Sequence, residues 1–319
     1  MITVLTGGTG GSKFVDGLRQ VIRPEELTII VNTGDDLRWW GLYVSPDLDS
    51  ITYVLAGKMS QERGWGVKGD TFFCLNAMGQ LGQPAWLHVG DRDLATHILR
   101  TKMLSDGQTL SEATTEIAAR LGIKVRVLPM SNSRVETRVL TPAGDLSFEE
   151  YFVQRWYQDP VESVRFAGAS DAEPAPGAIE SIRSADLVLL APSSPVSSIA
   201  PILAVPGIRE ALRESRARIA AVSPIVGGKA VSGPAGTLLA AQGFAVSIAG
   251  VADFYHDFLD LLVVDSQDAA AAESLRTTGM RVHCTPTIMR KYEDRIALAK
   301  SVLKAATQPP SAQAALERS

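Results

Sequence analysis

The sequence predicts an α/β protein with a Rossmann-like, three-layer architecture, in which helices cover both faces of a parallel sheet. The first observation is the apolar run Ile2–Thr6, which leads directly into a glycine-rich loop and then into apolar residues at helical spacing. The second is a series of short, continuous apolar runs such as Leu27–Val31 and Ala185–Ala191, the pattern of strands that are buried on both faces. Because these runs alternate with helical segments, we expect βαβ units.

Bulk composition excludes several classes of protein. The chain has 319 residues, 45% hydrophobic and 21% charged, which is typical of a folded globular protein. A net charge of −4 provides no basic field for nucleic acid or an anionic membrane. Cys74 and Cys284 are too few for a disulfide framework. With no signal-like leader and no apolar run near the ~20 residues of a membrane span, we expect a cytoplasmic protein that binds neither nucleic acid nor membrane.

The loop Gly7–Lys13 is the first candidate site. Backbone amides of such a loop, at the start of a helix, form an anion site. The dinucleotide pattern G-x-G-x-x-G fails because Lys13 stands where the third glycine belongs, and the P-loop pattern fails because Ser12 precedes that lysine. A tight β–α turn is the simpler alternative, but it needs fewer than the four glycines present. We therefore expect phosphate binding without NAD chemistry or P-loop hydrolysis.

The second candidate site is an acidic loop that follows the predicted strand Leu27–Val31. It contains the carboxylates Asp35, Asp36, Asp47 and Asp49 within a short span that runs to Ser50. Each aspartate alone is as well explained by capping a turn or a helix. Four together, next to a glycine loop, favour a ligand site at the end of a parallel strand.

The remaining chain is predicted as one domain, 1–319, with two insertions. Residues 50–122 have helical spacing, residues 123–170 have β character with a hairpin at Pro142–Asp145, and residues 308–319 form a flexible tail. Further predicted strands are Arg218–Val222, Ala245–Ile248, Leu261–Val264 and Arg281–Cys284, and further predicted helices are Gly236–Ala241, Ala269–Thr277 and Ile288–Leu303.

Four predicted loops follow parallel strands and should therefore line one crevice. They are Gly7–Lys13, Asn32–Asp36, Ser193–Pro195 and Gly227–Lys229. Their amides, lysines, hydroxyls and carboxylates suit a diphosphate that is bridged by a divalent metal.

Seven motifs of this chain resemble the 2-phospho-L-lactate transferase family, and the Gly90–His97 block is the most specific of them. The motifs are Thr6–Gly11, Asn32–Asp36, Pro46–Asp49, Gly64–Gly66, Gly90–His97, Ala191–Pro195 and Ser223–Gly227. The resemblance implies a magnesium-dependent enzyme of coenzyme F420 biosynthesis. Such an enzyme transfers a phospho-lactyl or phosphoenolpyruvyl group from a guanosine diphosphate-linked donor to the ribityl hydroxyl of the deazaflavin Fo and releases GMP. The resemblance also implies a homodimer.

The resemblance assigns roles to individual residues. Asp49 would be catalytic and would contact Fo together with Arg92, and Asp35 with Asp49 would bind Mg²⁺. The residues expected to bind the nucleotide and its phosphates are Gly8, Thr9, Gly10, Gly11, Lys13, Asn32, Ser193, Ser194, Gly227, Gly228 and Lys229. Ser194 departs from the family, which often has asparagine there.

Some assignments stay open. Trp39, Trp40 or Trp65 would stack on the deazaflavin or belong to the core. The four histidines show no metal-ligand spacing, so we assign them no catalytic role, His97 included.

Two other functions compete with the transferase, namely a non-catalytic UDP-sugar-binding regulator and a Rossmann oxidoreductase. The Gly90–His97 block favours the transferase over the regulator, and Asn32 at the end of the second strand, where an acidic residue is expected, disfavours the oxidoreductase. Whether the donor carries lactate, enolpyruvate or glycerate is open.

Overall fold

The computed structural model describes residues 1–308, so the predicted tail lies outside the described residues apart from Gln308. Seven parallel strands form the main sheet in the order β14-β13-β10-β9-β1-β2-β5. The strands are β1 (Ile2–Thr6), β2 (Leu27–Val31), β3 (Leu37–Trp39), β4 (Leu42–Val44), β5 (Arg126–Pro129), β6 (Glu136–Thr141), β7 (Gly144–Ser147), β8 (Ser163–Ala167), β9 (Leu187–Leu190), β10 (Arg218–Val222), β11 (Ile225–Val226), β12 (Lys229–Ala230), β13 (Leu261–Val264) and β14 (Arg281–Cys284).

Helices connect these strands and cover both faces of the main sheet. They are α1 (Gly8–Leu18), α2 (Pro46–Leu55), α3 (Phe73–Gln80), α4 (Asp91–Ser105), α5 (Leu110–Arg120), α6 (Ala178–Arg183), α7 (Ala200–Ala204), α8 (Ile208–Glu214), α9 (Ala235–Ala241), α10 (Ile248–Phe254), α11 (Ala269–Thr277) and α12 (Tyr292–Thr307). Among the helices of residues 1–308, none combines the length and apolar character that crossing a bilayer requires.

Alternation along the buried strands builds two separate cores, because successive side chains of a strand point to opposite faces. Val4 and Ile29 pack on one face with Phe14 of α1, and Leu5 and Ile30 pack on the other face. Fully burying a side chain such as Phe14 contributes roughly 1.5–3 kcal/mol. The predicted three-layer α/β fold is therefore confirmed.

The strand order determines where a ligand can bind. After β1 the chain moves to β2 and β5 on one side, and it then returns to β9, β10, β13 and β14 on the other. The direction of winding thus reverses between β1 and β9, which pair in parallel from Ile2↔Leu187 to Leu5↔Leu190. In open α/β sheets, ligands bind at the carboxyl end of such a switch point.

Two predictions about secondary structure are wrong. β5, which the sequence analysis assigned to the β-rich insertion, is the edge strand of the main sheet, where Thr28–Val31 pair with Arg126–Pro129. The insertion sheet consists instead of β7, β6 and β8. Ala245–Ile248 is not a strand, because Ser247 accepts a hydrogen bond from the amide of Gly250 (3.2 Å) and so begins α10.

Candidate active site

A cavity of about 1110 Å³ lies at the carboxyl edge of the sheet, at the switch point. Its wall is formed by residues 7–10, 13, 35, 44, 46–47, 49–50, 53, 65–66, 86–89, 93, 97, 148–149, 152–154, 156–157, 192–194, 197–198, 223–224, 231–235 and 287–290. Three of the four loops that the sequence placed in one crevice therefore reach it directly. The fourth reaches it through the residues on either side of Gly227–Lys229.

The glycine-rich loop leads into α1, and glycine is required at its positions for different structural reasons. Gly8 has φ +65° and donates its amide to Asp47 Oδ1 (2.6 Å). A Cβ on Gly10 would lie 2.4 Å from the carbonyl oxygen of Pro192, and a Cβ on Gly11 would lie 2.1 Å from Thr6 Oγ1. Close packing thus explains part of the glycine content. The amides of the first turn that follow Gly8 have no acceptor within the helix, so the start of α1 keeps the character of an anion site.

Lys13 contributes the ammonium group of this wall. Its side chain lines the cavity. Burial, and secondarily the charge of Arg295, lowers the pKa of Lys13 below its ordinary value. Gly8, Thr9, Gly10 and Lys13 line the cavity, whereas the buried Gly11 does not.

Asn32 is a buried bridge between two carboxylates and does not line the cavity. Its Nδ2 donates to Asp35 Oδ2 (2.9 Å) and Asp47 Oδ2 (2.9 Å), and to the carbonyl of Ser197 (3.2 Å). Its Oδ1 accepts from the amide of Gly34 (2.8 Å). Both ends of the amide are therefore occupied, which gives Asn32 a role in holding the acidic pair together.

Three carboxyl groups lie together in this wall, those of Asp35, Asp47 and Glu149. Glu149, which belongs to the β insertion, was not among the carboxylates that the sequence analysis named. Burial, followed by the charges of Asp47 and Glu149, raises the pKa of Asp35 well above its usual range. Burial likewise raises the pKa of Asp47 to about 6. Burial and the charges of Asp47 and Asp36 raise the pKa of Glu149 to about 8. Among residues 1–308, no lysine, arginine or histidine forms an ion pair with these three carboxyl groups.

A hard divalent cation fits this group, because oxygen ligands are what Mg²⁺ prefers. Within residues 1–308, the buried Asp35 Oδ1 has no hydrogen bond of ordinary geometry. Asp35 and Asp47 both face the cavity next to the start of α1.

Asp49 is held differently from Asp35. Both of its oxygens accept from Arg100, through Nη2 to Oδ1 and through Nη1 to Oδ2 (3.1 Å), and both side chains are buried. The charge of Arg100 therefore already compensates Asp49, which makes the predicted Asp35–Asp49 metal pair less suitable than Asp35 with Asp47. Asp49 itself lines the cavity from the first turn of α2.

The sequence analysis assigned His97 no catalytic role, and the structure places it in the cavity wall. Its Nδ1 lies 3.4 Å from Asp49 Oδ2, and its Nε2 lies 3.4 Å from Asp93 Oδ1. Tyr53 donates its hydroxyl to the same Asp93 oxygen (2.5 Å). The i,i+4 spacing of Asp93 and His97 on a predicted helix was the available signal.

The oxygens of Asp49 and Asp93 and a nitrogen of His97 lie within 4.8 Å of one another, as in some metal sites. The two carboxylates, however, face opposite nitrogens of one ring. This arrangement is that of a histidine held between two acceptors.

Ser193 and Ser194 lie where the sequence predicted them, in the loop after β9. The Ser193 hydroxyl donates to the carbonyl of Gly7 (2.7 Å), which ties the two loops together. Ser194 Oγ accepts from the amide of Ser197 (3.2 Å). Hydroxyls of Ser197 and Ser198, which the sequence analysis did not single out, also face the cavity.

Gly227, Gly228 and Lys229 do not line the cavity. Gly227 (φ 57°) and Gly228 (φ 74°) form the two-residue turn of the β11–β12 hairpin, which is a conformation that favours glycine. The Gly227 amide donates to the carboxylate of Asp268 (3.0 Å). The glycine pair thus has a structural reason, and Lys229 is exposed on the hairpin.

Arg92 also lies outside the cavity wall, with its side chain exposed and its Nη1 donating to the carbonyl of Lys68 (3.0 Å). Asp70 caps the start of α4 by accepting from the amides of Arg92 (2.7 Å) and Asp93 (3.1 Å). Its predicted contact with Fo stays a prediction.

Aromatic side chains form much of the remaining wall. Trp65 stacks on His88, with ring centroids 6.4 Å apart. Phe152 stacks on Tyr157 from the β insertion (5.6 Å). Of the three tryptophans considered from sequence, only Trp65 faces the cavity. Trp39 is buried in the core.

Comparisons with known proteins identify the family of the chain. A family model described as "2-phospho-L-lactate transferase CofD" matches residues 2–295. The 2-phospho-L-lactate transferase of Methanothermobacter thermautotrophicus is 43% identical over 304 residues, covering 95% of this chain and 97% of the relative. The phosphoenolpyruvate transferase of Streptomyces griseus is 42% identical over 313 residues, covering 96% and 98%.

A solved structure of a UPF0052 family protein from Bacillus halodurans has a TM-score of 0.63 at 18% identity, covering 95% of this chain and 98% of that one, and shows the shared fold. The family match decides between an enzyme and a regulator in favour of an enzyme, a transferase. The chain belongs to the 2-phospho-L-lactate transferase family.

Proposed function

We propose that this enzyme acts in coenzyme F420 biosynthesis. It transfers a phospho-lactyl or phosphoenolpyruvyl group from a guanosine diphosphate-linked donor to the terminal ribityl hydroxyl of Fo, and it releases GMP. The observation that carries the proposal is one cavity in which an anion site, an acidic pair and Asp49 face each other at the switch point. The names of the relatives, which include both a phospho-lactate and a phosphoenolpyruvate transferase, support the choice of transferred group.

The donor diphosphate is assigned to the wall that joins β1 and β9. Residues at the start of α1, Lys13, Ser193 and Ser194 all line the cavity there, and the Ser193 hydroxyl, which donates to the carbonyl of Gly7, holds the two loops together. As GMP leaves, negative charge grows on the bridging oxygen, and positioned donors of this kind stabilise it. A low-charge protein needs such local groups, because its net charge of −4 does not attract a diphosphate.

Mg²⁺ is the metal of this proposal, and Asp35 and Asp47 are the residues that would hold it. Their raised pKa values and the unpartnered Asp35 Oδ1 support this assignment. The ion would supply positive charge next to the diphosphate. Asp49, which the sequence analysis paired with Asp35, is the less suitable ligand because the charge of Arg100 already compensates it.

Asp49 is assigned to the acceptor. It faces the cavity with a fixed orientation, so it would accept a hydrogen bond from the attacking hydroxyl and direct it at the phosphorus distal to guanosine. The aromatic wall around Trp65 and Phe152 suits the flat deazaflavin. A homodimer remains part of the proposal on the strength of the family resemblance.

Titration of the purified protein with Fo, followed by deazaflavin fluorescence, tests the acceptor. We expect saturable binding, GMP release with at least one donor, and loss of turnover in Asp49→Asn with retained binding of guanosine diphosphate. Arg92→Ala decides whether the predicted Fo contact exists, since an unchanged affinity would remove Arg92 from the site. No Fo binding, with or without guanosine nucleotide and Mg²⁺, would overturn the proposed function.

A further inference from the structure

Four buried side chains of the cavity wall form one continuous series of contacts. It runs from Asp49 through His97 to Asp93 and ends at the hydroxyl of Tyr53. His97 is 1% exposed, and neither ring nitrogen has a hydrogen bond of ordinary geometry among the described residues. Burying an imidazole without partners is costly. A carboxylate oxygen lies 3.4 Å from each nitrogen, and in free enzymes catalytic hydrogen bonds are often long.

Arg100 is one of two groups that contact the Asp49 carboxylate. Its Nη2 donates to Oδ1 and its Nη1 to Oδ2, and Nη1 also donates to the carbonyl of Tyr43 (3.4 Å). His97 approaches Oδ2 within the same buried wall. A carboxylate that is contacted by both a guanidinium and an imidazole has one orientation available, which is what a group aimed at an attacking hydroxyl requires.

Asp93 sets the orientation of the His97 ring. It accepts from Tyr53 and faces Nε2, and these two contacts leave Nδ1 directed at Asp49. Burial opposes the ionised form of Asp93, but the contact with His97, the hydrogen bond from Tyr53 and the charge of Arg100 outweigh it and lower the pKa of Asp93. Asp93 Oδ1 therefore serves as an acceptor that faces both the His97 ring and the Tyr53 hydroxyl.

We propose that His97 is a positioning residue for the transfer reaction: oriented by Asp93, its Nδ1 holds the Asp49 carboxylate in line with the acceptor hydroxyl. This inference rests on the proposed function of Asp49. His97 touches neither substrate in it and acts through Asp49.

Two isosteric substitutions test which ring nitrogen of His97 makes the contact that matters for the reaction. In His97→Asn the side-chain amide occupies the place of Nδ1, whereas in His97→Gln it occupies the place of Nε2. We expect His97→Asn to keep kcat within about tenfold of wild type, and His97→Gln and His97→Leu to lower kcat by about 100-fold, the scale of a small misplacement of a reacting group. The KM for the donor should stay within about threefold in all three.

Asp93→Asn supplies a second measurement. Because Asp93 acts through His97, the double variant Asp93→Asn,His97→Leu should lose as much kcat as His97→Leu alone. The effects of the two single substitutions on kcat should not multiply. His283→Gln is the matched control, since His283 is half-buried on β14, contacts Ser301 (2.9 Å) and lies outside the cavity. Its kcat should equal that of wild type.

Four outcomes would overturn the inference. Equal kcat in His97→Asn and His97→Gln would show that the Nδ1 contact does not matter. Parallel loss of donor affinity and thermal stability would show a merely structural role. Calorimetric binding of Mn²⁺ or Zn²⁺ by wild type that vanishes in His97→Asn would make His97 a metal ligand. Failure of the wild type to turn over either donor would instead refute the proposed function, and this inference with it.

Discussion

Replacing Arg100 with methionine is the most direct test of how the acceptor side is held. The variant keeps the length and apolar stem of the side chain but leaves the Asp49 carboxylate, which is 4% exposed, without its guanidinium. Removing one partner of a buried ion pair costs about 3–5 kcal/mol, because the remaining charge is uncompensated. With an unfolding entropy of about 2.1 cal/mol/K per residue over 319 residues, the melting temperature should fall by about 4–7 °C.

The assay is thermal unfolding of the purified Arg100→Met variant together with two control variants. Lys102→Met removes an exposed ion pair with Asp106 on the same helix, and its effect should stay below about 1 kcal/mol. Asp49→Asn,Arg100→Met removes both charges and should recover most of the lost stability. An Arg100→Met variant that melts within about 1 °C of wild type would refute the reasoning, since it would mean that Asp49 has solvent or another cation available.

Three further predictions follow from the cavity wall. Because the pKa values of Asp47 (about 6) and Glu149 (about 8) are raised above those of the unfolded chain, the stability from these groups is complete below about pH 4 and is lost as pH rises through 6 and 8. Mg²⁺ should therefore raise the melting temperature more at pH 8 than at pH 5.5, and equal increments would contradict its binding to these carboxylates. Gly10→Ala should destabilise by about 1–3 kcal/mol in urea unfolding, because its Cβ would lie 2.4 Å from a backbone oxygen. Lys13→Ala should weaken guanosine diphosphate binding by about tenfold while Lys229→Ala changes it by less than about twofold, as calorimetry can measure; the reverse order would restore the role predicted for Lys229 from sequence.

Local patterns in the sequence were sufficient for the architecture. Continuous apolar runs predicted β1, β2, β9, β10 and β13, because a strand buried on both faces leaves a signature within a few residues. Helix α11 begins and ends where the spacing placed it. The predicted strand Ala245–Ile248 failed because a short apolar run does not distinguish a strand from the start of a helix when serine provides a cap.

The same distinction between local and long-range information applies to the candidate site. The sequence by itself determined the parallel α/β fold, the glycine loop, the acidic loop and the family, since each depends on residues that are adjacent in the chain. Only the tertiary structure decided what the side chains do. Asn32 contacts Ser197, 165 residues away, Arg100 contacts Asp49, 51 residues away, and Glu149 joins the acidic group from a separate insertion. Such contacts depend on how elements pack against each other, and no spacing along the chain encodes them. For the same reason the sequence did not show that Gly227–Lys229, a plausible phosphate loop by composition, lies in a hairpin outside the cavity wall.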